Sequence, residues 1–250
     1  MSPEAWAYLW LVDLRSSADA LSELDRDERL LQDADCDELA TTQAPHHSDR
    51  LTARRALRLL IQRSFGRRWQ TVPLVRRGRG KPGLTDLEGD FNLSHAGGWA
   101  LIVLCSRDGA GVDIESDRPV HLRPQRRQAI EHAALAVARG SPLPEADNAR
   151  TLQAWVRLEA CAKADGSGIG ALLGAFGIWG GRSRDCASAN AGLRSTTTSP
   201  PQNLPRVFDV RAPKGCFAAV ALPNGIPLPE LRRLPDTLAE LRALRATANR

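Results

Sequence analysis

The run from Phe91 to Glu115 reads F-N-L-S-H-A-G-G-W-A-L-I-V-L-C-S-R-D-G-A-G-V-D-I-E. Its middle, W-A-L-I-V-L-C, has the composition of a buried strand, and Asp108-Gly109 is a turn signal. The run therefore predicts a hairpin of Trp99–Cys105 with Gly111–Glu115, after a short strand at Phe91–Leu93. Asp113 and Glu115 stand at i and i+2, so a strand sends both carboxylates to one face. Hard oxygen ligands of this kind suit a magnesium ion. Ser94 and His95 open the same run. Metal ligands and phosphate-type donors on neighbouring strands point to chemistry on a phosphorylated substrate.

Upstream, Ala53, Ala56, Leu57, Leu60 and Ile61 form one apolar face of a helix from Ser48, its N-cap, to Phe65, with Gly66 as the stop. Arg50, Arg54 and Arg58 run beside that face at i, i+4 and i+8. Such a stripe is by default a solvated face. Its functional reading is a phosphate clamp, because guanidinium forks match phosphate oxygens. Trp6–Leu14 reads as a first strand, and Ala18–Leu39 as one or two acidic surface helices. Arg76–Gly83, R-R-G-R-G-K-P-G, reads as a rigid loop presenting Lys81.

Downstream, an Ala-rich helix is expected around Gln125–Arg139. An amphipathic helix follows at Thr151–Ala164, ended by Gly166. Trp155, Glu159 and Lys163 recur every four residues along it. An exposed Glu159–Lys163 pair adds only a few tenths of a kcal/mol, roughly, to a helix. As a third carboxylate beside Asp113 and Glu115, Glu159 gains a second meaning. Gly180–Pro205, rich in Ser, Thr, Gly, Asn and Pro, is expected to be a long mobile loop. Val207–Arg211 and Phe217–Leu222 read as a last hairpin, before a peripheral C-terminal helix. G-W-A-L-I-V-L at Gly98–Leu104 echoes C-F-A-A-V-A-L at Cys216–Leu222, a weak sign of two similar halves joined near 115–120.

The chain has 250 residues, 42% of them hydrophobic, enough for one large core or two small ones. Its net charge of +5 and pI of about 9.3 favour anionic partners. Nearly all the positive charge is arginine; the lysines are Lys81, Lys163 and Lys214. A compact ammonium does what a guanidinium does not, so a lysine in such a chain can mark a place that needs one. Five scattered cysteines with no C-x-x-C read as reduced thiols of a cytoplasmic protein. The apolar N-terminus is short, lacks a basic start and carries Glu4 and Asp13, so it reads as a strand and not as a signal peptide or membrane span.

G-K-P-G-L, F-N-L-S-H, G-V-D-I-E and W-x-x-x-E-A-x-x-K occur in this order between about Arg50 and Gly170. In order and spacing they resemble the 4′-phosphopantetheinyl transferases, of the longer type that activates peptide and polyketide synthetases. The resemblance implies an α+β pseudo-dimer of two similar α+β halves, residues 1–117 and 118–250, acting as a monomer. It implies transfer of the phosphopantetheine arm of coenzyme A to a serine of an acyl or peptidyl carrier protein, with magnesium. The matching positions are Asp113, Glu115 and Glu159 for the metal. Arg54, Lys81, Ser94 and His95 match residues near the nucleotide and its 3′-phosphate, and Lys163 one near the pyrophosphate. Glu159 is the candidate base, with Lys163 beside it in the catalytic pair. No nucleic-acid or membrane partner is implied. The chain departs from the family at Leu158, where Lys is usual, and at Ala96, where a second Ser is frequent. A competing reading is a basic RNA-binding or regulatory module using R-R-W and R-R-G-R-G. The low aromatic content, 5%, speaks against a stacking platform.

Overall fold

Trp99–Cys105 is buried along nearly its whole length, on both faces, and a strand buried on both faces needs a packed layer on each side. The computed structural model describes residues 5–40, 47–77, 80–178 and 204–247. In chain order the elements are β1 (Ala7–Asp13), α1 (Ala18–Glu28), α2 (Asp33–Ala40), α3 (His47–Phe65), β2 (Val75–Arg77), β3 (Lys81–Gly83), β4 (Asp90–Ala96), β5 (Trp99–Cys105), β6 (Gly111–Ser116) and α4 (Pro124–Val137). They continue with α5 (Asp147–Asp165), α6 (Ile169–Ala175), β7 (Arg206–Asp209), β8 (Cys216–Leu222), β9 (Leu231–Arg233) and α7 (Leu238–Ala246). The fold is α+β. No helix among the described residues is long and apolar enough to cross a membrane.

One sheet has the order β4-β5-β1-β9, antiparallel except for the parallel pair β1–β9. The other has the order β6-β8-β7, antiparallel throughout. Alternation sorts their side chains. Leu9, Leu11, Leu101 and Val103 meet Val112, Ile114, Val220 and Leu222 in a core shared by the two sheets. Trp10, Val12, Ile102 and Leu104 face Leu57, Leu60 and Ile61 of α3, with Leu21 and Leu24 of α1 and Leu241 of α7. Ala219 and Ala221 face Ala154, Cys161 and Ala162 of α5 and Ala133 of α4. At Gly111 a Cβ would lie 2.2 Å from the Ala160 carbonyl oxygen and 2.5 Å from the Ala164 nitrogen. Only glycine lets α5 lie this close on β6.

The first strand, the helices and the last hairpin β7–β8 form as expected, with ends shifted by a few residues. The α3 helix begins at His47, which puts Ser48 in its first turn rather than at its cap. The hairpin expected of Trp99–Cys105 with Gly111–Glu115 does not form. Both edges of β5 are taken, by β4 and by β1, so β6 crosses to the second sheet and pairs with β8. Arg76–Gly83 is no plain loop: its ends form a two-stranded ribbon, β2–β3, with Arg77 opposite Lys81. Of the expected mobile loop, residues 180–203 lie outside the described residues.

The sequence echo falls on β5 and β8, each flanked on both sides in its own sheet. Its register is inverted, however. The echo matches Leu101 with Ala219, yet Leu101 faces the core between the sheets and Ala219 faces the helices. A shift by one residue restores equivalent faces, because a strand alternates with period two.

Candidate active site

Gly111, Asp113 and Glu115 alternate with Val112 and Ile114, whose side chains fill the core between the sheets. The two carboxylates therefore leave β6 on the side covered by α5, as the i and i+2 spacing predicts. Asp113 is 4% exposed. Lys163 of α5 donates from Nζ to Asp113 Oδ1 at 2.6 Å and to Ser94 Oγ at 3.2 Å. Ser94 of β4 donates from Oγ to the same Asp113 oxygen at 2.8 Å. One contact thus ties together three separate segments of chain. The other oxygen, Asp113 Oδ2, is buried and has no hydrogen-bond partner among the described residues.

Glu159 stands one helical turn before Lys163. Burial pushes its carboxyl above the ordinary carboxylate range, and Asp113 pushes the same way; Lys163 opposes, and Glu115 adds to the rise. Burial, then Asp113, raise Glu115 as well, while Arg118, 3.6 Å away, and Lys163 oppose. Three carboxyls thus share a half-buried site around one ammonium. Among the described residues no three His, Cys, Asp or Glu side chains already form a ligand set. The donor chemistry nonetheless fits a hard divalent cation. A buried carboxylate oxygen lacks a partner among the described residues, and burial and then Asp113 raise both neighbouring carboxyls above the ordinary range.

Glu159 and Lys163, with Asn92, Leu93 and the stem of Lys81, line a cavity of about 240 Å³. Pro82 and Leu93 also line a second cavity, of about 260 Å³, whose wall carries Arg50, Arg54, Arg76 and His95 with Glu38. The two cavities share these residues and so adjoin as the two ends of a cleft, one end carrying Glu159 and Lys163 and the other rich in arginine. Arg54 is held there by Asp35 Oδ1 at 3.1 Å and Glu38 Oε2 at 2.9 Å. Arg58 leaves the stripe: its guanidinium is buried against Asp35 Oδ2 at 2.8 Å and the Val72 carbonyl at 2.7 Å. The arginine stripe facing the cleft is therefore shorter than the sequence spacing predicts, because Asp35 of α2 supplies the counter-charge that draws Arg58 inward.

Lys81 stands beside the cleft, but its ammonium is engaged by the Asp90 carboxylate and, at 2.8 Å, by the Ala110 carbonyl. Asp35, Glu38 and Asp90 escaped the reading of the sequence. The first two lie in an acidic stretch whose composition marks only a surface helix. Asp90 has a signal: with Asn92 and Ser94 it makes D-x-N-x-S, polar at every second position of a strand.

Compared with protein-family models and with curated proteins, the chain finds no match.

Proposed function

We propose that this chain transfers the 4′-phosphopantetheine arm of coenzyme A to a serine of an apo acyl or peptidyl carrier protein and releases adenosine 3′,5′-bisphosphate. The observation that carries this reading is the contact of Lys163, Asp113 and Ser94. Three of the motifs behind the resemblance to 4′-phosphopantetheinyl transferases meet in it, though they are distant in sequence. The repeated strand order, β4-β5-β1 in one sheet and β7-β8-β6 in the other, supports a pseudo-dimer of two similar halves, with the second half beginning at β6 (Gly111–Ser116) rather than at residue 118.

The pyrophosphate of coenzyme A suits the end of the cleft with Lys163, whose ammonium neutralises phosphate oxygens. The 3′-phosphate suits the end with Arg50, Arg54, Arg76 and His95. Asp113, Glu115 and Glu159 would hold a magnesium ion, which would neutralise the charge that repels the nucleophile. Glu159 is the base, directly or through a water on the metal that it would help to hold. The carrier serine oxygen forms a bond to the β-phosphorus, the bond from that phosphorus to the leaving bisphosphate breaks, and the serine proton goes to Glu159. Docking the carrier so that its hydroxyl is in line supplies much of the acceleration.

The test is incubation with coenzyme A, magnesium and a panel of apo-carriers, read by intact mass. At least one carrier gains one phosphopantetheine, its serine-to-alanine variant gains none, and excess RNA at physiological salt does not compete. No transfer to the panel, together with tight RNA binding that falls steeply with salt, overturns the reading in favour of a nucleic-acid module.

A further inference from the structure

Strand β4 ends one sheet and β6 ends the other, and no backbone ladder joins them. Side chains of β4 bridge the gap instead. Asp90 Oδ2 accepts from the Gly109 nitrogen at 3.0 Å and the Ala110 nitrogen at 2.9 Å. Asn92 Oδ1 accepts from the Val112 nitrogen at 3.0 Å. Two residues further on, Ser94 reaches Asp113 itself. Asp90, Asn92 and Ser94 share one face of β4, while Phe91 points into the helix-covered core. Asp90 and Asn92 are 7% and 4% exposed. Lys81 closes the set by bonding both Asp90 and the Ala110 carbonyl.

The geometry points to Asp90 and Asn92 as positioning residues that set the register of β6 against β4 and so hold Asp113 between Ser94 and Lys163. This rests on the transferase reading for its catalytic consequence, but the tie itself does not. A slip of one residue along β6 exchanges Asp113 with Val112 and turns the carboxylates into the core between the sheets. The partner strand β8 resists that slip on one edge only. On the other edge the side chains of Asp90 and Asn92 do so. Lys81 is accordingly a strut that holds Asp90 and Ala110, and its ammonium acts through β6 rather than on the nucleotide.

Asn92→Leu removes the acceptor and keeps the size; Asn92→Asp keeps an acceptor oxygen at the same place. In wild type the Val112 amide exchanges slowly with solvent. In Asn92→Leu it exchanges about tenfold faster or more, the scale of a buried amide left without its acceptor, while amides of β5 and β8 keep their protection. The same variant loses kcat by about tenfold or more and has a higher magnesium demand, as expected of a displaced carboxylate. Asn92→Asp recovers protection and most of the kcat. Should Asn92→Leu not fold, Asp90→Ala, which removes the acceptor of the Gly109 and Ala110 amides, is read in the same way at the Ala110 amide and in kcat. Folded variants with wild-type kcat, or a Val112 amide that exchanges alike in wild type and Asn92→Leu, overturn the inference. If wild type modifies no carrier, the transferase reading fails, and amide exchange alone decides the tie.

Discussion

Strands β1 and β6 occupy like places, and the two faces they offer their helices are opposites. Each pairs with the central strand of its sheet and lies under a long helix, and α3 and α5 have the same length of 19 residues. Towards its helices β1 presents Trp10 and Val12, part of an apolar core. Towards α5, β6 presents Gly111, Asp113 and Glu115. The other edge of β1 is closed by the backbone pairing of β9, from Leu9–Leu231 to Leu11–Arg233. The other edge of β6 is bridged by side chains alone. One half of the molecule spends its strand on cohesion. The other gives up that cohesion and buries charge at a free-energy cost.

The sharpest way to break this comparison is to exchange the consequences of mutation between the two strands. Asp113→Ala and Glu159→Ala should each lower kcat by about a hundred- to a thousandfold, the scale seen when one charge-stabilising group of an active site is removed. Both variants should remain folded. Trp10→Ala should do the reverse: a loss of about 3–5 kcal/mol of stability in urea titration, with normal turnover by the molecules that stay folded. Normal kcat in either acidic variant would mean that β6 is not the chemical strand.

Gly111→Ala tests the close seat of α5 on β6. The added Cβ meets helix backbone, not a flexible side chain. The helix must move, at a cost of about 1–3 kcal/mol, the usual range for overpacking. Glu159 and Lys163 move with it, so kcat should fall as well, separating this variant from an ordinary core defect.

At the arginine end, removal of the 3′-phosphate from coenzyme A should weaken wild-type binding by about 1.5–3 kcal/mol, the scale of hydrogen bonds to charged groups. Arg54→Ala should discriminate far less between coenzyme A and its dephospho form in calorimetry. Equal discrimination would move the clamp to Arg50, Arg76 and His95.

The smallest expected effect is on stability against pH. Glu159 has a raised carboxyl in the folded chain, by burial first and Asp113 second. The folded state therefore holds this proton more tightly than the unfolded chain. Its contribution is fully present below the ordinary carboxylate value and is lost as pH rises through the raised one. In metal-free protein Glu159→Gln should thus have the higher Tm at neutral pH, and the gap should close on acidification. A lower Tm at neutral pH would show that the carboxylate is already neutralised by Lys163.

The placement of Asp113, Glu115, Glu159 and Lys163 was legible in the sequence because local periodicity carries it. Period two puts Asp113 and Glu115 on one face, and a four-residue helical repeat puts Glu159 above Lys163. Long-range partners were not legible. Asp108-Gly109 is a sound turn signal, but whether β5 keeps a free edge for β6 depends on β1, far back in the chain. Likewise the fate of Arg58 depends on Asp35, and the direction of the Lys81 ammonium on Asp90. A charge shows its presence in a sequence; the counter-charge that claims it is chosen by the fold.

The most direct test of the β6 cleft as the reacting site is to count adenosine 3′,5′-bisphosphate released from coenzyme A against carrier molecules made heavier. Wild type and Asp113→Ala should be run side by side with magnesium. The account predicts equal amounts of the two products in wild type, and neither above background in Asp113→Ala. Carrier modification that continues unchanged in Asp113→Ala, or no modification by wild type of any carrier offered, would contradict it.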